Sequence, residues 1–75
     1  MILPSKHVSE QHTLIGVGAL LLSELTHPES VTNLWERVRL QPTMGTFERF
    51  VLALDMLNIV GAVTVAGGIL ERTHA

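Results

Sequence analysis

The residues from Thr46 to Leu70, TFERFVLALDMLNIVGAVTVAGGIL, change their period part-way, and this change limits the folds open to the chain more than any other feature. Thr46 is a good helix N-cap, Pro42 and Gly45 clear the loop before it, and Gly61 supplies a C-terminal stop. Between these signals Phe47, Phe50, Val51, Leu54 and Leu57 recur at helical spacing and predict one buried stripe. After Gly61 the pattern alternates. Gly67-Gly68 reads as a two-residue turn that pairs Ala66 with Ile69, Val65 with Leu70 and Thr64 with Glu71, leaving Val63, Val65 and Leu70 on one side. A helix running into a hairpin is the back half of a winged helix. The expected fold is therefore mainly α with a small β-hairpin, three helices plus a wing. Residues 1–75 would form a single domain, with 1–8 as an extended lead-in.

A chain of 75 residues buries only about 60% of its unfolded surface, so its stability margin alone is thin. Yet 47% of its residues are hydrophobic and only 16% charged, more apolar surface than so small a domain can hide. Another protein or a bilayer is expected to cover some of it. The sequence has no cysteine, which removes disulfides and thiolate metal sites and fits a reducing cytoplasm. Five basic against seven acidic residues offer little to a phosphate backbone. The N-terminus MILPSKHVSEQH lacks the basic region, apolar core and cleavage site of a signal peptide.

Met1-Ile2-Leu3-Pro4 is an apolar lead-in, expected to lie across the domain or to add to a partner's sheet edge, unless it simply frays. Ser9 is the expected cap of the first helix, with Glu10 in its opening turn and His27-Pro28 ending it after Leu25 or Thr26. Leu14, Val17, Leu21 and Leu25 make one apolar face of this helix, and Ile15, Ala19 and Leu22 a second. Gly16 and Gly18 each cost roughly 1 kcal/mol against alanine, which points to close backbone approach. Val31 is a candidate one-residue strand beside the wing. Thr32 would cap a second helix, Asn33 to about Leu40, with Leu34, Trp35 and Val38 inward and Glu36, Arg37 and Arg39 on its exposed face. Trp35 reads as a core anchor, with a partner-facing hot spot as the rival.

Little in the chain speaks of catalysis. His7, His12, His27 and His74 are too scattered for a metal site, and Gly67-Gly68 lies inside a hairpin rather than ahead of a helix, so no phosphate loop exists. No nucleophile arrangement is legible, and the chain is expected to be no enzyme, with no cofactor and no metal. Glu48 and Asp55 lie seven apart on one helical face, roughly 10 Å along the axis, and read as a solvated or partner-facing surface rather than paired catalytic carboxylates. Arg49 is the only cation of that helix, so as a DNA-recognition helix it would repel phosphate. Leu52, Ala53, Met56 and Ile59 fall outside the predicted stripe. Together with Ile15, Ala19 and Leu22, and with Glu48, Arg49 and Asp55 at the rim, they predict a protein interface.

A membrane reading competes, because Phe50 to Leu70 is 21 residues with one charge. Asp55 would cost about 2.5–3.5 kcal/mol at the bilayer centre, and the alternation after Gly61 fits a hairpin better. A DNA-binding regulator is the other rival, disfavoured by charge.

The ordered set Met-Ile-Leu-Pro-Ser-Lys-His, Leu14-Ile15-Gly16-Val17-Gly18-Ala19, Val31-Thr32-Asn33-Leu34-Trp35-Glu36, Thr46-Phe47, Phe50-Val51-Leu52-Ala53-Leu54-Asp55 and Ile59-Val60-Gly61-Ala62 resembles the small middle components, type six, of bacterial ABC-three-component systems. The resemblance covers almost the whole chain. It implies a three-gene defence operon that encodes an SMC- or RecN-like coiled-coil ATPase, a middle component and a variable effector, often a nuclease, as in Lamassu-type anti-phage and anti-plasmid systems. It further implies a non-catalytic winged-helix adaptor, similar in role to the accessory subunits of SMC complexes, that meets DNA only through the complex. It brings no catalytic motif to carry over.

Overall fold

A computed structural model describes residues 6–73 of the chain, with side chains from residue 13 onward. The expectations for Met1-Ile2-Leu3-Pro4 and for the side chains of His7, His12 and His74 lie outside the described residues. Three helices, α1 (Lys6–Glu24), α2 (Val31–Val38) and α3 (Phe47–Ile59), pack with three strands, β1 (Glu29–Ser30), β2 (Val63–Ala66) and β3 (Ile69–Arg72). The strands form one antiparallel sheet in the order β1-β3-β2. This is a mainly α, winged-helix-like small domain.

The back half follows its local signals. Thr46 caps α3 by accepting a hydrogen bond from the Arg49 N–H at 3.2 Å. At the other end Gly61 takes φ +81°, with its N–H on the Asn58 carbonyl (3.1 Å) and the Ala62 N–H on the Leu57 carbonyl (2.8 Å). That pair of bonds is a Schellman motif, which satisfies carbonyls that the helix would otherwise strand. Gly67 and Gly68 both have positive φ, +58° and +78°, as a type I′ hairpin turn requires. The predicted pairs Thr64 with Glu71, Val65 with Leu70 and Ala66 with Ile69 are the observed register.

The core gathers Val17, Leu21 and Leu25 of the α1 side, Leu34 and Val38 of α2, Phe50, Ala53, Leu54 and Leu57 of α3, and Val63 and Leu70 of the sheet. Met44, in the turn between α2 and α3, joins them at 0% exposure. Its placement follows from two hydrogen bonds, Gln41 N–H to Val38 carbonyl and Met44 N–H to Gln41 carbonyl, which fold the connection back over the core. Trp35, half-buried, packs on the same cluster. Its ring meets Phe47 edge-on and Phe50 at a tilt, each with centroids 5.0 Å apart.

The structure corrects several expectations. The buried stripe of α3 is Phe50, Ala53, Leu54 and Leu57, while Phe47 and Val51 stay 52% and 38% exposed. The helix is thus rotated by about 50° from the predicted orientation, at roughly 100° per residue. Ala53 is core and not interface, fully buried beside Phe50, Leu54 and Leu57. Val65 shares a face with Val63 and Leu70 but is 46% exposed. Helix α1 starts at Lys6, so Ser9 lies inside it rather than capping it, Glu10 falls after the first turn, and residues 6–8 are helical rather than extended.

The strand beside the wing is Glu29–Ser30 and not Val31, and α2 is capped by Ser30 rather than Thr32. Pairing with β3 explains both. It holds Ser30 extended at φ −71° and ψ 154°, where its Oγ accepts the Asn33 N–H at 3.0 Å, while the Val31 N–H reaches the Gly68 carbonyl at 3.3 Å. Helix α2 ends at Val38 instead of Leu40. The backbone between residues 50 and 70 is a helix followed by a hairpin. Among the described residues no helix is long and apolar enough to cross a membrane.

Candidate protein interface

With Phe50, Ala53, Leu54 and Leu57 turned inward, α3 necessarily presents Glu48, Val51, Leu52, Asp55 and Ile59 outward. Leu52 is 46% and Ile59 83% exposed, and both carboxylates are solvated. Met56 sits at the edge of this face, half-buried, with its methyl end against Gly18 of α1. A Cβ at Gly18 would lie 3.0 Å from Met56 Cε, so here the absence of a side chain lets α1 and α3 approach. Gly16 is different. A Cβ there would meet only Thr43 at an ordinary 3.8 Å, so close approach does not account for it.

From α1, Ile15 is 60% exposed and Ala19 is exposed, whereas Leu22 is half-buried against the core. Between α1 and the start of α3 runs an open groove of about 340 Å³, lined by Leu14, Thr46, Glu48, Arg49 and Leu52. The groove brings Glu48, Arg49 and Leu52 of the ten predicted interface residues together and adds Leu14. Ile59 stands two turns away from it, at the far end of α3.

The charges explain what this face is able to bind. Arg37 clamps Glu29 through two hydrogen bonds, Nη1 to Oε1 at 2.6 Å and Nη2 to Oε2 at 2.5 Å. It also reaches Glu24 Oε1 at 3.1 Å and the Glu24 carbonyl at 2.9 Å. The Glu29 side chain is only 3% exposed, and its hydrogen bonds from Arg37 hold its carboxyl below the ordinary glutamate value against the opposing effect of burial. Arg39 pairs with Glu36 at 3.3 Å, and Arg72 donates to the Leu22 carbonyl at 3.1 Å. Three of the described arginines are thus engaged within the fold, away from the outward face of α3. Arg49 alone lies beside it, with its guanidinium against Gly45.

Among the described residues no group of three or more His, Cys, Asp or Glu side chains could hold a metal ion. A second hollow, about 520 Å³, lies between the end of α1 and the wing, lined by Leu25, Thr26, His27, Pro28, Glu71, Arg72 and Thr73.

The sequence model of ABC-three component (ABC-3C) system Middle Component 6 matches residues 3–72. The chain belongs to this family. No curated protein and no solved structure matches it. Membership as a middle component implies association with the other components of its system.

Some residues of this middle component's surface escaped the sequence reading. Val51 fits the predicted buried stripe, yet it shares the outward face. Leu40, 83% exposed, lies beyond the end of α2 rather than inside it. The Glu24–Arg37–Glu29 clamp carried no local signal, since its members are 13 and 8 residues apart on three different elements.

Proposed function

We propose that this middle component is a non-catalytic, cytoplasmic adaptor. It docks on an SMC- or RecN-like ABC ATPase and holds or restrains an effector, such as a nuclease, until foreign or aberrant DNA is sensed. Systems of the Lamassu type would use it against phage and plasmids. The observation that carries the reading is the outward face of α3, where Val51 and Leu52 stand exposed between two carboxylates and Ile59 one turn beyond the second. A recognition helix for duplex DNA needs cations there, because phosphate neutralisation supplies most of the affinity. An apolar strip with a charged rim is instead the anatomy of a protein interface.

Co-expression with the products of the two neighbouring genes tests the proposal. The tagged chain should recover the ATPase subunit, and Leu52→Asp with Ile59→Asp should reduce that recovery at least tenfold. Both sites are exposed, so the fold and its thermal transition should persist. Undiminished recovery with the double variant would remove the α3 face from the interface, and failure of the native chain to recover either gene product would remove the adaptor role.

A further inference from the structure

Glu48 and Asp55 lie seven residues apart on α3, within about 20° of one another around the helix and roughly 10 Å apart along it. Val51 and Leu52 fill the turn between them, and Ile59 follows one turn beyond Asp55. Neither carboxylate is in an ion pair among the described residues. Arg37, Arg39 and Arg72 are committed elsewhere.

Such a strip sets terms for whatever covers it. Burying Val51, Leu52 and Ile59 beneath a purely apolar surface would strip water from both carboxylates without replacing it, which is strongly unfavourable. An occupant must therefore bring cations to the same two points and apolar side chains between them. A second α-helix does so when Lys or Arg recurs every seven residues beside an apolar stripe, because its two-turn repeat matches the spacing of Glu48 and Asp55. We infer that the outward face of α3 receives an amphipathic helix of a protein partner, whose apolar stripe is bordered by Lys or Arg at seven-residue spacing.

Charge complementarity separates this occupant from the others. Nucleic acid and anionic lipid would both face two carboxylates. A second copy of the chain, docked α3 to α3 about a two-fold axis, would set Glu48 of one copy near Asp55 of the other. The inference rests on the adaptor reading and names the chemistry of the partner for the same face.

Three forms of the full chain, each co-expressed with the two neighbouring gene products, distinguish the outcomes. Relative to the native chain, Glu48→Lys with Asp55→Lys should lower recovery of the partner tenfold or more, and Glu48→Gln with Asp55→Asn should lower it by less. Glu71→Lys, a charge reversal at an exposed site on the wing, should leave recovery within twofold. Circular dichroism would confirm that each variant folds. Native recovery with no loss in the Lys pair, or equal loss in Glu71→Lys, would overturn the basic helix while leaving the adaptor standing. Recovery of only a second copy of the chain, of nucleic acid or of membrane vesicles would overturn both.

Discussion

Glu29 illustrates how much one side chain does in so small a domain. It lies in β1, is almost fully buried, and receives both ends of the Arg37 fork, which in turn holds the C-terminus of α1 through Glu24. Arg37→Ala would leave a buried carboxylate without its partner, and should cost about 2–3 kcal/mol in a denaturant titration. This lies below the cost of breaking a fully buried pair because the Arg37 side chain is itself 40% exposed. The carboxyl of Glu29 is depressed in the folded state, so its contribution is fully present above its unfolded value near 4.5 and is lost as pH falls further through the folded value. Thermal stability measured from pH 6 downward should fall below about pH 4.5, and the fall should be shallower in Glu29→Gln. The two glycines of α1 give a second contrast. Gly16→Ala meets only open contact and should raise stability by about 0.5–1 kcal/mol through helix propensity. Gly18→Val forces Met56 and Leu57 aside and should lower it by about 1–3 kcal/mol, both read from melting curves. Sequence marked both glycines as close approaches. Only the packing of α1 on α3 tells them apart, since nothing in their neighbours along the chain differs enough to do so.

At the scale of the element, α2 shows local signals competing. Ser30 and Thr32 are both good caps, and neither is preferred by the residues that follow. Pairing of Glu29 with Leu70 and of Ser30 with Ile69 decides between them, because it fixes Ser30 in the extended conformation a cap needs. Ser30→Ala should therefore cost about 1 kcal/mol and Thr32→Ala only a few tenths, in equilibrium unfolding. The helix α3 and the hairpin needed no such arbitration. Thr46, Gly61 and Gly67-Gly68 are strong punctuators whose geometry is intrinsic, so their boundaries were legible from the chain. The rotation of α3 was not. Phe47, Phe50, Val51, Leu54, Leu57 and Phe50, Ala53, Leu54, Leu57 are both helical stripes, and hydrophobicity alone favours the one with the larger residues. Packing selects the one that buries Ala53 and leaves Phe47 and Val51 at the surface.

The whole molecule adds its charge and surface. A net charge of −2, with three arginines tied into the fold, leaves the outward face of α3 anionic and apolar. The isolated domain should not retard a duplex DNA fragment in a mobility shift at about 0.1 M salt, where non-specific binding by a basic domain would be visible. A shift there would favour the regulator over the adaptor. By itself the sequence determined the winged-helix-like class, the helix-to-hairpin passage, the hairpin register and family membership. Each depends on short-range geometry or on residue order, which the chain carries wherever it goes. Tertiary structure alone decided which face of α3 is buried, which hydroxyl caps α2, that Met44 belongs to the core, and that Glu24, Glu29 and Arg37 meet. Those outcomes depend on contacts between elements far apart in sequence, where several local arrangements are nearly equal in energy and only mutual packing separates them.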